Sequence, residues 1–323
     1  MSKTKIEWTE MTWNPIAGCN DVSEGCRHCY ARTMARRLEA MGSEKYRGLT
    51  VLQGSHTVWT GRIAFDEKTL MEPLRRRTPT VYFVNSMSDL FHKNVTDEMR
   101  DHIFAILALT PQHTYQVLTK RADQMQKYMS GGRGNRAAGI LVDWFADGTI
   151  TTAQFMAKKN RLSAPLPNVW LGVSVENQAA ADERIPLLLQ TPAAVRFISA
   201  EPLLGQVDLT GLQHDYSDGQ HLFINALKPA STPIALPALD WVICGGESGP
   251  GARPMHPDWA RGLRDACVAA GVPFFFKQWG DGVEVGSALS GHPRRNAGYG
   301  FGKKKGGNML DGRQWLDQPE VRR

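Results

Sequence analysis

Three of the five cysteines crowd into one short stretch, Cys19, Cys26 and Cys29, spaced C-x6-C-x2-C. Cys244 and Cys267 stand far downstream. Cysteines so few and so uneven do not make a disulfide framework, and clustered thiols in a reducing compartment point to a metal. Gly18 and Gly25 each precede a cysteine. Glycine lets the loop fold back, so that three sulfurs can converge on one point. Three thiolates can grip an iron–sulfur cluster, for which four are usual. Three leave one iron open to another ligand, and an open metal position is what chemistry needs. The rival is structural zinc. His28 is the local fourth ligand, but it abuts Cys29, which makes joint tetrahedral ligation awkward. A remote histidine such as His92 or His256 could close a zinc site instead. No second C-x2-C pair follows downstream.

The loop must hang on a scaffold, and the chain alternates short β-rich runs with helical stretches. The runs are Thr12–Ala17, Thr80–Val84, Thr114–Leu118, Val169–Val175, Val195–Ser199, Asp240–Cys244 and Val272–Phe276, with a weaker candidate at Val58–Phe65. Several are nearly all apolar, the habit of strands buried on both faces of a parallel sheet. Helical stretches fall at Tyr30–Ala40, Thr96–Leu109, Arg121–Tyr128, Gln178–Leu189 and Pro257–Ala270, the last closed by Gly271. Repeated strand–helix units predict an α/β fold, a full or partial (β/α) TIM-like barrel. Residues 130–168, with a helical patch near Thr152–Lys159, and residues 208–239 read as insertions on one barrel spanning 1–285. Residues 286–323 read as an irregular, basic, Gly-rich extension, a lid or a wrap.

The composition is that of an ordinary globular protein, 42% hydrophobic and 22% charged, over 323 residues. No apolar run reaches the roughly 18–20 residues needed to span a bilayer. The first residues lack the apolar core of a signal peptide. The chain therefore reads as cytoplasmic, with no membrane partner. A net charge of +6 permits a nucleic-acid partner without demonstrating one. Lys303–Lys305 is the better phosphate-contact candidate, and Arg75–Arg77 reads first as a solvated helix end.

In a barrel, the C-terminal ends of the strands face the active site. Those ends carry Asn85, Ser86, Ser88 and Asp89; Thr119, Lys120 and Arg121; Ser174, Glu176 and Asn177; Glu201; Cys244 and Glu247; and Lys277. Carboxylates gathered at one rim are costly unless they bind something cationic or polar. The bland alternative makes each a solvated loop residue or a helix cap. Cys244 reads as a hydrogen-atom donor or, more simply, a buried structural thiol.

The cysteine loop resembles that of the radical S-adenosylmethionine superfamily, which carries three cysteines after the first barrel strand. More closely, the chain is similar to a phage-associated group of that type, widespread in bacteria and of unknown function. The similar stretches are IEWTEMTWNPIAGC, GCRHCYA, FVNSMSDLFH, LTKR, LGVSVEN, ISAEPLLG, WVICGGESG and FFFKQWG. The superfamily's commonest spacing is C-x3-C-x2-C, so the first gap here holds three extra residues. The resemblance implies a [4Fe–4S] cluster on Cys19, Cys26 and Cys29. It also implies S-adenosylmethionine as cofactor, cleaved by one electron to methionine and a 5′-deoxyadenosyl radical that attacks an unidentified substrate. It places the methionine amino group at Ser86, Ser88 or Asp89 and the ribose at Ser174, Glu176 and Asn177. His28, with Tyr30 beyond it, falls where an aromatic residue usually packs near the adenine. Glu201 and Glu247 fall to substrate or supporting hydrogen bonds, and Lys120 to a carboxylate or phosphate. Gly245–Glu247 matches the superfamily's Gly-Gly-Glu in letters, but on the sixth run rather than the second. An electron donor such as a flavodoxin or ferredoxin is implied. The substrate is expected to be a nucleic acid or nucleotide, with a peptide on a partner protein as the alternative. Against this stand a zinc-stabilised nucleic-acid-binding protein without catalysis and a cluster-bearing sensor.

Overall fold

The computed structural model describes residues 2–131, 133–152, 154–155, 165–215, 221–231, 235–282 and 307–320. The strands, in chain order, are β1 (Ser2–Lys3), β2 (Met11–Trp13), β3 (Ile16–Ala17), β4 (Thr50–Gln53), β5 (His56–Trp59), β6 (Ala64–Phe65), β7 (Val81–Val84) and β8 (Thr114–Thr119). They continue with β9 (Val169–Ser174), β10 (Val195–Ala200), β11 (Leu212–Asp215), β12 (His221–Ile224), β13 (Trp241–Gly245), β14 (Phe274–Gln278), β15 (Met309–Leu310) and β16 (Arg313–Gln314). The helices are α1 (Tyr30–Ala40), α2 (Glu67–Leu70), α3 (Glu72–Arg75), α4 (Asp97–Leu109), α5 (Ala122–Ser130), α6 (Arg133–Ala146), α7 (Gln178–Gln190) and α8 (Pro257–Ala270).

The main sheet has eight strands in the order β1-β2-β7-β8-β9-β10-β13-β14. Seven of them are parallel, and β1 runs antiparallel to β2. This mixed α/β order is compatible with a partial (β/α) barrel. By contacts the chain divides into two compact units, 1–21, 30–172 and 191–195 in the first and 22–29, 173–190 and 196–323 in the second.

In the first unit, the predicted run Thr12–Ala17 splits at Asn14–Pro15. β2 pairs with β7, while β3 leaves the sheet to pair antiparallel with β6. Pro15 has no N–H for a ladder, which makes a break there inexpensive. The weak candidate Val58–Phe65 resolves into β5, hairpinned on β4, and β6. Trp13, Tyr82 and Tyr115 are fully buried, and the two tyrosine rings stack with centroids 5.4 Å apart. α4 starts where the sequence places it: Thr96 Oγ accepts from the Met99 N–H, and Asp97 and Glu98 sit in the first turn. The insertion at 130–168 contains α6, which packs on α4, burying Ala137, Leu141 and Trp144. The helical patch near Thr152–Lys159 lies largely outside the described residues.

In the second unit, β13 is buried along its whole length and Phe274–Phe276 fill the core of β14, as strands covered on both faces must be. α8 has Pro257 in its first turn and ends at Gly271, whose φ of 71° needs a residue without a Cβ. The insertion at 208–239 carries the antiparallel hairpin β11–β12, docked on α7 through the Gln213 N–H to Asp182. The expected irregular extension is ordered over 307–320. There β15 and β16 form a hairpin, and the segment beyond it runs antiparallel along β14, with Leu316 opposite Phe275. Lys303–Lys305 lies outside the described residues. No helix among those described is long and apolar enough to cross a membrane.

Candidate functional site

The cysteine loop leaves β3 through Gly18, whose φ is 96°. A Cβ there would stand 2.2 Å from the Arg62 carbonyl oxygen, so the close approach requires glycine. Gly18 also pairs in parallel with Ser88, which continues the line of β2 and β7 beyond the strand ends.

In the first unit, Cys19 is half-buried. The Arg121 guanidinium faces it, with both terminal nitrogens 4.0 Å from Sγ. Arg121 also donates to the Asn20 carbonyl and side-chain oxygens, both at 3.1 Å, and to Asp89 at 2.7 Å. Burial alone would lower the Arg121 pKa, but Asp89 and Cys19 outweigh it and hold the guanidinium charged. Asp89 accepts further from Thr119 Oγ, the Lys120 N–H and the Phe91 N–H. Ser86 donates to Asn14, Ser88 donates to the Ile16 carbonyl, and the exposed Tyr30 hydroxyl donates to the Ser86 carbonyl. Residues 85–88 and Asp89 are thus knitted to the loop after β2. Asn85 takes a φ of 61° there, accepts from the Ile16 N–H, and buries an amide nitrogen that has no partner.

His92 is fully buried and bonded to Asn20 through Nε2. Its Nδ1 accepts from the Asn94 N–H, so Nε2 carries the proton. Burial, then the charge of Arg121, lower its pKa to about 4 from an ordinary 6.5. The unfolded chain therefore binds more protons between those values, and stability is full above pH 6.5 and falls as pH drops toward 4. The expected loss at the foot of that window is roughly 2–3 kcal/mol. Urea unfolding across pH should show this slope, and His92→Gln should flatten it. An unchanged slope would contradict the assignment.

In the second unit, Cys26 and Cys29 are half-buried on a 3₁₀ turn, with the Cys29 N–H bonded to the Cys26 carbonyl. Strand-end residues stake this turn down. Ser23 Oγ donates to Glu176 at 2.5 Å, Asn177 donates to Glu24 at 2.6 Å, and Arg253 donates to the Glu24 carbonyl at 3.0 Å. A Cβ on Gly25 would meet Glu176 at 2.5 Å, so this glycine too is required by close packing. His28 lies against the backbone of Gly251.

Each rim carboxylate carries a basic partner from its own unit. Glu176 pairs with Arg184 at 2.8 Å, Glu247 with Arg253 at 2.6 Å, Asp89 with Arg121 as above, and Glu201 with Lys277. Hydrogen bonds from Arg253 overcome desolvation and hold the Glu247 carboxyl below the usual range. Each of these carboxylates is thus already paired with a cation of the chain itself. Ser174 is buried and its carbonyl accepts from Arg184, while the Asn177 side chain caps α7 by accepting from the Ala180 N–H. Lys120 reaches Asp89 through its backbone. Arg184 and Arg253 escaped the sequence reading, although they follow their carboxylates by eight and six residues.

Cys244 and Cys267 are fully buried, and burial pushes both thiols up, Cys267 to about 12. The five cysteines, none in a disulfide, thus fall into two classes, three partly exposed on one loop and two sealed in the core. Among the described residues no three His, Cys, Asp or Glu side chains are gathered to hold one metal ion. A cubane cluster spaces its thiolates more widely, since each binds its own iron. The donor set fits such a cluster: three partly exposed thiols on one loop, with a guanidinium beside one of them.

A family model described as "Protein of unknown function (DUF5131)" matches residues 3–319. The chain belongs to the DUF5131 family. Nothing among the curated proteins or the solved structures matches this DUF5131 chain significantly.

Proposed function

We propose that this DUF5131 protein is a radical S-adenosylmethionine enzyme whose Cys19, Cys26 and Cys29 hold a [4Fe–4S] cluster. The observation that carries the reading is the division of the cysteines: three partly exposed thiols on the loop that follows β2 and β3, two buried ones elsewhere. His92 weighs against zinc, because both its ring nitrogens are engaged, with Asn20 and with Asn94. When bound, the reduced cluster and S-adenosylmethionine supply a 5′-deoxyadenosyl radical for hydrogen abstraction. The chain's own part is to hold and orient. Arg121 and His92 fix Asn20 beside Cys19; Ser23, Glu24 and Gly25 are fixed by Glu176, Asn177 and Arg253 before Cys26. Asp89 and Glu176 act through these contacts. His28, Tyr30, Ser86, Ser88, Ser174 and Asn177 remain the candidates for cofactor contact, with Glu201, Glu247 and Lys120 for substrate or supporting hydrogen bonds.

Anaerobically purified protein is expected to carry about four irons and four sulfides per chain. With a strong reductant it should convert S-adenosylmethionine to 5′-deoxyadenosine and methionine. Replacing all three loop cysteines by alanine should remove the iron and leave the fold intact; a triple variant that keeps its iron removes the assignment. Zinc without iron or sulfide would favour the nucleic-acid-binding reading, and a full cluster without turnover the sensor. The proposed substrate, a nucleic acid or nucleotide, rests on the net charge of +6. Phosphate-driven binding must then weaken steeply with salt, and salt-independent binding would argue for a peptide.

A further inference from the structure

We infer that Arg121 is a positioning residue for the cysteine loop, and that its guanidinium donates to the Cys19 sulfur and raises the reduction potential of the group that sulfur holds. The inference rests on the cluster reading above. Its geometry does not. One guanidinium reaches three things at once: Cys19 Sγ with both terminal nitrogens, the two Asn20 oxygens, and the Asp89 carboxylate. Few side chains have that reach, because it needs a planar fork of fixed donors.

The fork is held from behind. The side chains of Arg121 and Asp89 are only 10% and 9% exposed. Asp89 spends its remaining acceptor capacity on Thr119, Lys120 and Phe91, all rigid neighbours at the ends of β7 and β8. The Asn20 side-chain oxygen that accepts from Arg121 is also bonded to His92, itself fixed by Asn94. The residue after Cys19 therefore has one place to be, and the sulfur has a permanent cation beside it. Arg121 is too far along the chain to be there by local geometry; β8 delivers it.

Two consequences follow from general chemistry. Donors to a ligating thiolate draw charge from the sulfur and make reduction of the cluster easier. A fixed loop also keeps its metal, and loss of such outer contacts typically weakens retention by about 10- to 100-fold. Lysine at 121 would keep the charge but not the fork.

The test uses the full chain, reconstituted anaerobically with iron and sulfide, as wild type, Arg121→Gln and Arg121→Lys. Iron and sulfide per chain, the rate of iron loss to a chelator, and the midpoint potential by redox titration are measured. Arg121→Gln is expected to lose iron about 10-fold faster or more and to titrate at a lower potential. Arg121→Lys should recover part of the potential and less of the retention. A residue that merely stabilises the fold would lower the unfolding midpoint and leave the potential where it was. If Arg121→Gln does not fold, Asp89→Asn keeps the cation but frees the fork, and a smaller shift in the same direction is expected. A loaded Arg121→Gln, or failing that Asp89→Asn, with wild-type potential and wild-type iron loss overturns the inference alone. A wild type that takes up no iron overturns the cluster reading, and this inference with it.

Discussion

Replacing Arg184 by alanine is expected to cost about 3–5 kcal/mol of folding stability, read by urea unfolding at neutral pH. Glu176 and Arg184 are buried, with side chains 1% and 4% exposed. Their attraction does not by itself make such a pair a net gain over apolar residues. Removing one member does something different: it leaves the other charge in a place water cannot reach. Without Arg184, Glu176 loses the cation paired with it at 2.8 Å, and the Ser174 carbonyl loses a donor too. Glu176 must then take up a proton or swing out, and either movement pulls on Ser23 and on the packing against Gly25. The variant should therefore also hold iron less well. Ser23→Ala separates the two effects. It removes the link to the loop but leaves the ion pair, so it should lower iron retention while costing only about 1–2 kcal/mol. An Arg184→Ala protein within 1 kcal/mol of wild type would show that the pair is open to solvent in solution.

What the sequence made legible follows from where each signal is local. VYFV, VWLGV and FFF stand out because a parallel strand is covered on both faces and has no polar side to interrupt the run. α8 was readable at both ends, from Pro257 and from Gly271. α6 was passed over because its first turn looks like a loop, yet Ala137, Leu141 and Trp144 recur at helical spacing and lie buried. At the site, the cysteines and the rim carboxylates were visible as residue types. Their state was not. Lys277 finds Glu201 across 76 residues, and Arg121 finds Cys19 across 102. Such pairs exist only once the strands stand side by side, so no spacing rule could announce them.

The pairing also changes what the rim can be. Four carboxylates counted along a sequence look like a site for something cationic or polar. Four carboxylates, each with its own arginine or lysine, are a set of fixed dipoles and struts. Within its own unit, each of three of them is tied to a stretch of the cysteine loop. Asp89 is tied through Arg121, Glu176 directly through Ser23, and Glu247 through Arg253. Glu201 and Lys277 are the exception: they pair with each other in the second unit.

A chain ending at Gly306 is expected to lose about 5 kcal/mol of stability and to aggregate when warmed. Leu310 is fully buried, and its removal opens a cavity beneath β15. The segment that follows lies along β14, where the Phe276 N–H donates to the Trp315 carbonyl at 2.8 Å and the Asp317 N–H donates to Phe274 at 3.2 Å. Without it, β14 becomes an open edge of the sheet, a ready template for pairing with another chain. Trp241 is affected further inside, since its fully buried indole N–H donates to the Asp317 carbonyl at 2.8 Å. Trp279 likewise donates to the Met309 carbonyl. Losing both carbonyls leaves two indole donors without these acceptors. The hairpin is clasped from outside by Arg261 and Arg264 on Asp311. Hydrogen bonds from Arg261 lead in holding its carboxyl at about 2, but that cluster is partly exposed and Asp311→Asn should cost only about 1 kcal/mol. The contrast locates the effect. If the truncated chain unfolds at the wild-type urea midpoint and stays clear by light scattering on heating, then β14 does not depend on the C-terminal segment for its edge.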